Sequence, residues 1–241
     1  MKLKKFFVSL FLVSVLIWNE SMDILAMTTG FSTEDMELDE QQRFLSAIGL
    51  SVSEMSPKKD MIKCFDVNKD GMIALGAQNS NEATVSIYRQ DGVFQYAYHF
   101  NCSGSYGIEW EGSNLIIYFV RADVAALFDR SGENIGMYKI PDTNENNSYW
   151  NDFVFSKERI VGSKQYKMKS KKGVLGFFAF SYSQLVETDI NGNTTVFYEA
   201  DSEAFLRVAV IFVGVVLFVA FVIYMLVLEF LKLQKQNSRT C

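Results

Sequence analysis

The chain is poor in the residues that do most chemistry. Among its 241 residues there are one histidine (His99), two prolines (Pro57 and Pro141) and three cysteines (Cys64, Cys102 and Cys241). A single imidazole, with Cys64 and Cys102 standing 38 positions apart, leaves no ligand string for a zinc or iron site. Two prolines leave no proline-rich linker. Positive charge is scarce as well: residues 27–207 hold 17 Lys and Arg against 25 Asp and Glu, a balance of minus 8. The uniform basic patch of a nucleic-acid binder is therefore missing, and no nucleic-acid partner is expected. No Gly-rich phosphate loop and no G-x-S-x-G elbow occurs, so no cofactor is expected.

What the chain does contain is a run of twenty-one uncharged residues, 208–228, rich in Val, Phe, Leu and Ile. At about 1.5 Å per residue such a helix spans about 30 Å, the thickness of a bilayer's hydrocarbon core. In lipid only a helix keeps every backbone group bonded within one segment, so the run predicts a transmembrane helix, bounded at 204–231. Lys232, Lys235 and Arg239 follow it, whereas Asp201, Glu203 and Arg207 precede it. The basic excess places the tail, 232–241, in the cytoplasm and the bulk of the chain outside a cell membrane. Lys2, Lys4 and Lys5 precede a thirteen-residue apolar run, 6–18, so residues 1–26 read as a signal peptide or, alternatively, an uncleaved N-terminal anchor. On the outer side a Cys64–Cys102 disulfide is allowed, and so is a pair of small buried apolar thiols.

The outer part opens with an acidic, partly helical segment, 27–61. Thr33 is placed to cap a helix whose first turn holds Glu34, Asp35 and Glu37; Phe44, Leu45 and Ile48 share one face, and Gly49 ends it. From residue 62 the period changes to alternation. Phe94, Tyr96, Tyr98 and Phe100 point one way and Gln95, Ala97 and His99 the other, while the unbroken apolar run 115–120 predicts a strand buried on both faces. Asp70-Gly71, Asp91-Gly92, residues 112–114, Ser131-Gly132 and Asn191-Gly192 separate these runs as hairpin turns.

Those turns recur at 40–41 residues, Gly71 to Gly112 and Gly92 to Gly132, the length of a propeller blade. Pieces such as "FDVNKDGMIALG", "VSIYRQDGVFQYAYHF" and "ALFDRSGENIGMYKI" resemble the β-propeller repeat families of the NHL and WD40 kind, and "IEWEGSNLIIYFVRAD" is similar to uncharacterised bacterial single-pass membrane proteins. The resemblance covers residues 62–140 best. It implies a mainly β, extracytoplasmic, propeller-like body over 62–203, with about three four-stranded blades, and a C-terminal transmembrane helix. The third blade is drawn over 152–199, with residues 156–159 as its first turn. Three blades do not close a ring: two chains meet edge to edge, or the acidic helix and the membrane cap the edges, or the sheets pack as a monomeric sandwich-like stack, and the expected partners are membrane lipid and a second copy of the chain or another cell-envelope protein.

Three sets of residues are candidates for chemistry. Asp66, Asn68 and Asp70 imitate the start of a calcium loop, but Ala77 stands where the bidentate Glu belongs; the plain alternative is a polar hairpin turn. Glu109 and Glu111, with Asp123, form the carboxylate set that an envelope hydrolase would use, and His99 with Cys102 is the sole imidazole–thiol combination. Lys157, Arg159, Lys164, Lys167, Lys169, Lys171 and Lys172, against Glu158, give plus 6 over sixteen residues and predict a contact with anionic lipid headgroups or polymers. The aromatic face of Phe94, Tyr96 and Tyr98 is the second candidate contact surface. The expected function is a membrane-anchored binding or assembly module. The alternatives are the hydrolase and a sensor subunit acting through a membrane partner.

Overall fold

The computed structural model describes residues 27–170 and 182–237. The expected leader 1–26, Lys171, Lys172, Arg239 and Cys241 lie outside the described residues. The body is built of three antiparallel sheets, and a single long helix follows them.

The first sheet is a meander of β3 (Ile62–Val67), β4 (Ile73–Asn79), β5 (Glu82–Tyr88) and β6 (Phe94–Asn101). The second repeats the plan with β7 (Tyr106–Glu111), β8 (Asn114–Phe119), β9 (Val124–Phe128) and β10 (Asn134–Lys139). The third comprises β11 (Glu158–Val161), β12 (Lys164–Lys169), β13 (Gln184–Thr188) and β14 (Thr194–Glu199). Two short strands from the N-terminal segment complete the outer edges: β1 (Glu34–Asp35) pairs with β10 and β2 (Ser51–Ser53) with β6. Residues 27–61 are thus woven into the sheets rather than set apart from them.

Between β1 and β2 lies α1 (Leu38–Ile48). Thr33 does not cap it. Glu37 takes the cap position without a side-chain bond, and Glu34 and Asp35 are spent in β1. Gly49 does end the helix, at φ +54 with its N–H on Leu45 O. No other residue enters that left-handed region so cheaply. Phe44, Leu45 and Ile48 pack on the core as their spacing predicts.

The sheets are layered in the order second, first, third. Cys64, Val85, Ile87, Tyr98 and Phe100 of the first sheet meet Tyr106, Ile108, Leu115, Ile117 and Phe128 of the second in one apolar layer. The opposite face of the first sheet, with Phe65, Ile73, Leu75 and Tyr88, meets Tyr166, Met168, Leu185 and Tyr198 of the third. The outer face of the second sheet is sealed by Phe31, Tyr149, Trp150 and Phe153, carried by the N-terminal segment, by α2 (Asn144–Tyr149) and by a π-helical turn, Trp150–Val154. With both faces covered, β8 is buried on both sides, which is why its sequence runs apolar without alternation.

One loop geometry recurs four times, at residues 68–72, 89–93, 129–133 and 189–193. In each, the first N–H donates to the fifth carbonyl and the fourth N–H, a glycine's, to the first carbonyl. Gly71, Gly92, Gly132 and Gly192 hold φ between +79 and +87, so these hairpins fall where the glycines predict. The first hairpin of the third sheet differs from expectation. Residues 156–159 are not its turn, because Glu158 already begins β11; the chain reverses at Gly162, φ +59, and Ser163.

The last element, α3 (Ser202–Asn237), contains a window, Ala209–Leu228, of mean hydropathy 3.1. None of that window is buried against the body, and length and composition make it a candidate membrane span.

Candidate functional site

Where the first strands of the three sheets converge, β3 lies between β7 and β11, and a charge pair crosses the gap. The Asp66 carboxylate on β3 accepts one hydrogen bond from the Trp110 N–H of β7 at 2.8 Å and another from Arg159 Nε of β11 at 2.8 Å. Both side chains are nearly sealed, 7% and 8% exposed. Arg159 also donates from Nη2 to the Phe153 carbonyl, 2.8 Å, and from Nη1 to that of Glu158, 3.1 Å, and its guanidinium stacks over Phe153 at 4.6 Å. Burial pushes the Asp66 carboxyl above its ordinary value, and Arg159 opposes that shift.

This placement accounts for the calcium-like string. Asp66 is committed to Arg159, and Asn68 Oδ1 is occupied by the N–H groups of Asp70 and Met72. Asp129 and Asp189 do the same in their own turns, each accepting from the N–H groups two and four residues on. The side-chain oxygens therefore build the loops, as an Asx-type turn does. Among the described residues no group of three or more His, Cys, Asp or Glu is placed to hold a metal ion.

Asp123 does not join the carboxylate set, whereas Glu109 and Glu111 share one face of β7. Glu109 is held by Tyr118 OH at 2.5 Å and Tyr149 OH at 3.0 Å, with Thr29 Oγ1 beside Tyr118 OH at 2.6 Å. Glu111 accepts the Thr28 N–H. Glu111 pairs with the first residue of β8, whereas Asp123 follows its last, five strand steps or about 17 Å away. That separation exceeds the reach of a glycosidase carboxylate pair. Glu109 thus fastens the N-terminal segment and α2 to the second sheet.

Burial raises the Glu109 carboxyl above 4.5, and the two tyrosine hydrogen bonds pull it back only in part. An acid whose folded-state value is raised holds its proton more tightly folded than unfolded. Its contribution to stability therefore grows as pH falls from neutral toward about 4.5. Asp66 adds a slope of the same sign. Glu109→Gln is expected to be as stable as the wild type or more so at neutral pH, and to show a smaller gain on mild acidification. Urea midpoints over a pH series measure both; an unchanged slope would show that Glu109 is not the group responsible.

His99 and Cys102 are not a pair. His99 Nδ1 sits 3.1 Å from Thr84 Oγ1 in a shallow groove with Glu82. Cys102 faces a separate groove of about 340 Å³ beside α1, near Phe44, Ile48 and Arg121, and burial pushes its thiol up. Cys64 and Cys102 are free thiols in the same apolar layer, so the disulfide is not formed; Cys102 Sγ faces Gly104 O instead, at 3.5 Å.

The aromatic face is not a contact surface. Tyr98 is fully buried with its hydroxyl on Asp129 O, and Tyr96 is buried beside it. The pairing skips Gln95, since Ile87 opposes Tyr96 and Tyr88 opposes Phe94. This bulge turns Phe94 to the other side, against Tyr88, because one unpaired residue reverses the alternation.

The basic run divides by the strand period. Arg159 is buried as described, Lys164 pairs with Glu187 at 2.5 Å, and Lys167 pairs with Glu158 at 3.0 Å. Lys157 and Lys169 are exposed. Their position in the fold matters more than their number: Lys169 opposes Gln184, which opposes Glu199, so they stand at the end of the sheet from which α3 departs. Only Ala200 and Asp201 separate β14 from α3, and both are fixed. The Ala200 N–H donates to Ser183 O at 2.8 Å and the Asp201 N–H to Lys59 O at 2.8 Å, while the Asp201 carboxylate accepts the Lys59 N–H at 3.1 Å. Tyr198 OH adds a bond to Asp60 O at 2.8 Å, and Lys59 Nζ lies over the Tyr198 ring at 5.6 Å.

No protein-family model matches the chain, and no curated protein matches it. Among solved structures it is similar to a selenomethionine-substituted virginiamycin B lyase from Staphylococcus aureus, at 10% identity and a TM-score of 0.27 over 64% of this chain and 46% of that one. It is also similar to a catalytically inactive form of virginiamycin B lyase from Staphylococcus aureus with quinupristin, at 9% identity and a TM-score of 0.27 over 64% of this chain and 61% of that one. The chain spans about half the length of the lyases it matches, and a likeness this weak carries no argument about its site.

Proposed function

We infer that the chain is a single-pass membrane protein whose body, a propeller-like stack of three blades with an added edge strand on two of them, stands on the outer side of a cell membrane and acts by binding or assembly. The observation that carries this reading is the joint between β14 and α3. The helix that carries the candidate membrane span leaves the third sheet after two residues, and the backbone of each is hydrogen-bonded to the body. A joint of that kind supports the body at a set height and attitude on the lipid, as a module that meets a partner at the surface requires. The basic residues after the span, Lys232 and Lys235, support the outward orientation.

The same joint favours a second reading, a sensor subunit. With no soft linker in between, a change in the third sheet passes directly into α3 and sideways to a membrane neighbour.

A membrane-impermeant, lysine-directed crosslinker added to intact cells tests the proposal, because Lys69, Lys157, Lys167 and Lys169 are exposed on the body. The expected result is a discrete adduct with a second protein, or with a second copy of the chain. Lysines that react only after lysis would overturn the orientation, and lysines that react without forming any adduct would overturn the binding role.

A further inference from the structure

We propose that the end of the third sheet nearest α3 is a docking surface for the anionic phospholipid headgroups of the bilayer that α3 enters. The proposal rests on the reading of α3 as a membrane span and adds a ligand to it.

Three exposed lysines, Lys59, Lys157 and Lys169, are gathered at this end by hydrogen bonds that do not follow the sequence. Lys157 O accepts the Met168 N–H, Lys169 O accepts the Ser183 N–H, Ser183 O accepts the Ala200 N–H, and Lys59 O accepts the Asp201 N–H. Residues from 59, 157, 169 and 201 therefore form one rim, with the start of α3 in its midst. The acidic residues of the rim are tied by hydrogen bonds or contacts of their own, though Asp201 stays exposed. Asp60 accepts the Met61 N–H, Asp201 accepts the Lys59 N–H, and Glu199 is half-buried and has a partner of its own. The lysine ammonium groups remain at the surface. Lys157 Nζ lies 5.5 Å from the centre of the Tyr182 ring, as Lys59 Nζ lies over Tyr198. A cation resting beside a tyrosine is also the pairing found where proteins meet the headgroup layer.

The distances fit. From Asp201 to Ala209, where the apolar window opens, the helix rises about 12 Å. A headgroup layer occupies about 6 Å of that span and an extended lysine about 6 Å more. Any tilt of α3 toward the lysine side shortens the gap further, and headgroup charge is felt over about 8 Å at physiological salt. The rim thereby fixes which way the body leans on its anchor.

The test uses the full chain in lipid nanodiscs, zwitterionic alone or with phosphatidylglycerol, and a water-soluble acylating reagent read lysine by lysine in a mass spectrometer. Lys69, exposed in the turn between β3 and β4 at the other end of β3 from the Ile62–Tyr182 bridge, is the internal reference. Relative to Lys69, the labelling of Lys59, Lys157 and Lys169 is expected to slow about fivefold each when anionic lipid is present, and to recover at high salt. Equal ratios in both lipids, with the protein still disc-bound, would overturn the headgroup contact and leave the span intact. Protein that leaves the discs would overturn the span and the contact together. A soluble polyanion that slows the same lysines in zwitterionic discs, where anionic lipid has no effect, would assign the rim to a polymer and overturn the proposal.

Discussion

Replacing Arg159 with methionine is expected to cost the body about 3–5 kcal/mol, because it leaves the Asp66 carboxylate buried without its counter-charge. Typical domain stabilities are about 5–15 kcal/mol, so this single change removes about a fifth of the total or more. Asp66→Leu is expected to be comparably harmful, since it strands the guanidinium and also leaves the Trp110 N–H without an acceptor. The double variant is the informative one. With both charges gone the pair's desolvation cost disappears, so its loss should fall well short of the sum of the two singles. Arg159→Lys keeps the charge but gives up the fork of contacts to Phe153 O and Glu158 O, and should fall between wild type and Arg159→Met. Urea unfolding of the full chain in detergent, followed by tryptophan fluorescence, gives all four values. A loss below about 1 kcal/mol for Arg159→Met would mean that the pair does not tie the three sheets together.

That a buried charge pair joins residues 66 and 159 could not be read from either neighbourhood. Asp66 sits in a loop-like acidic string and Arg159 in a run of lysines, and local patterning assigns both to solvent. What distinguishes Arg159 is its place on the strand: with Val161 it shares the side of β11 that faces Tyr166, whereas Glu158 and Ile160 face out. The period-2 rule thus held the clue once β11 was taken to begin at Glu158. The turns were legible because glycine at positive φ leaves a mark in the sequence, and β8 was legible because a doubly buried strand cannot alternate. The strands β1 and β2, two and three residues long, carry no period at all. They exist because the edges of β10 and β6 offer unpaired backbone groups. The bulge at Gln95 was equally silent, and it alone moves Phe94 from the stripe of Tyr96 and Tyr98 to the opposite layer. Lys157 and Lys169 were legible as charge but not as place, and Lys59 stood outside the basic run altogether, because Lys59 and Lys169 are brought together only by the pairing of the third sheet and by Asp201.

Two arginines at the centre of α3, Phe218→Arg with Val219→Arg, are expected to release the chain from the membrane. An arginine at a helix centre opposes insertion by about 2.5–3.5 kcal/mol, so the pair opposes it by about 5–7 kcal/mol. The wild type is expected to remain in the pellet after washing with alkaline carbonate, and the double variant to move to the supernatant. The body should melt as before, because none of the window that carries both positions is buried in the body: Phe218 is 68% exposed and Val219 49% exposed. Body stability and membrane retention are therefore separable in one experiment, and each outcome has its own meaning. A wild-type chain extracted by carbonate removes the membrane reading and the headgroup contact that rests on it. A double variant that stays in the pellet beside the wild type shifts the anchor from α3 to the apolar run 6–18. A double variant that is released but unfolded would show that α3 supports the body as well as holding it, and that the bonds of Ala200 and Asp201 transmit load in both directions.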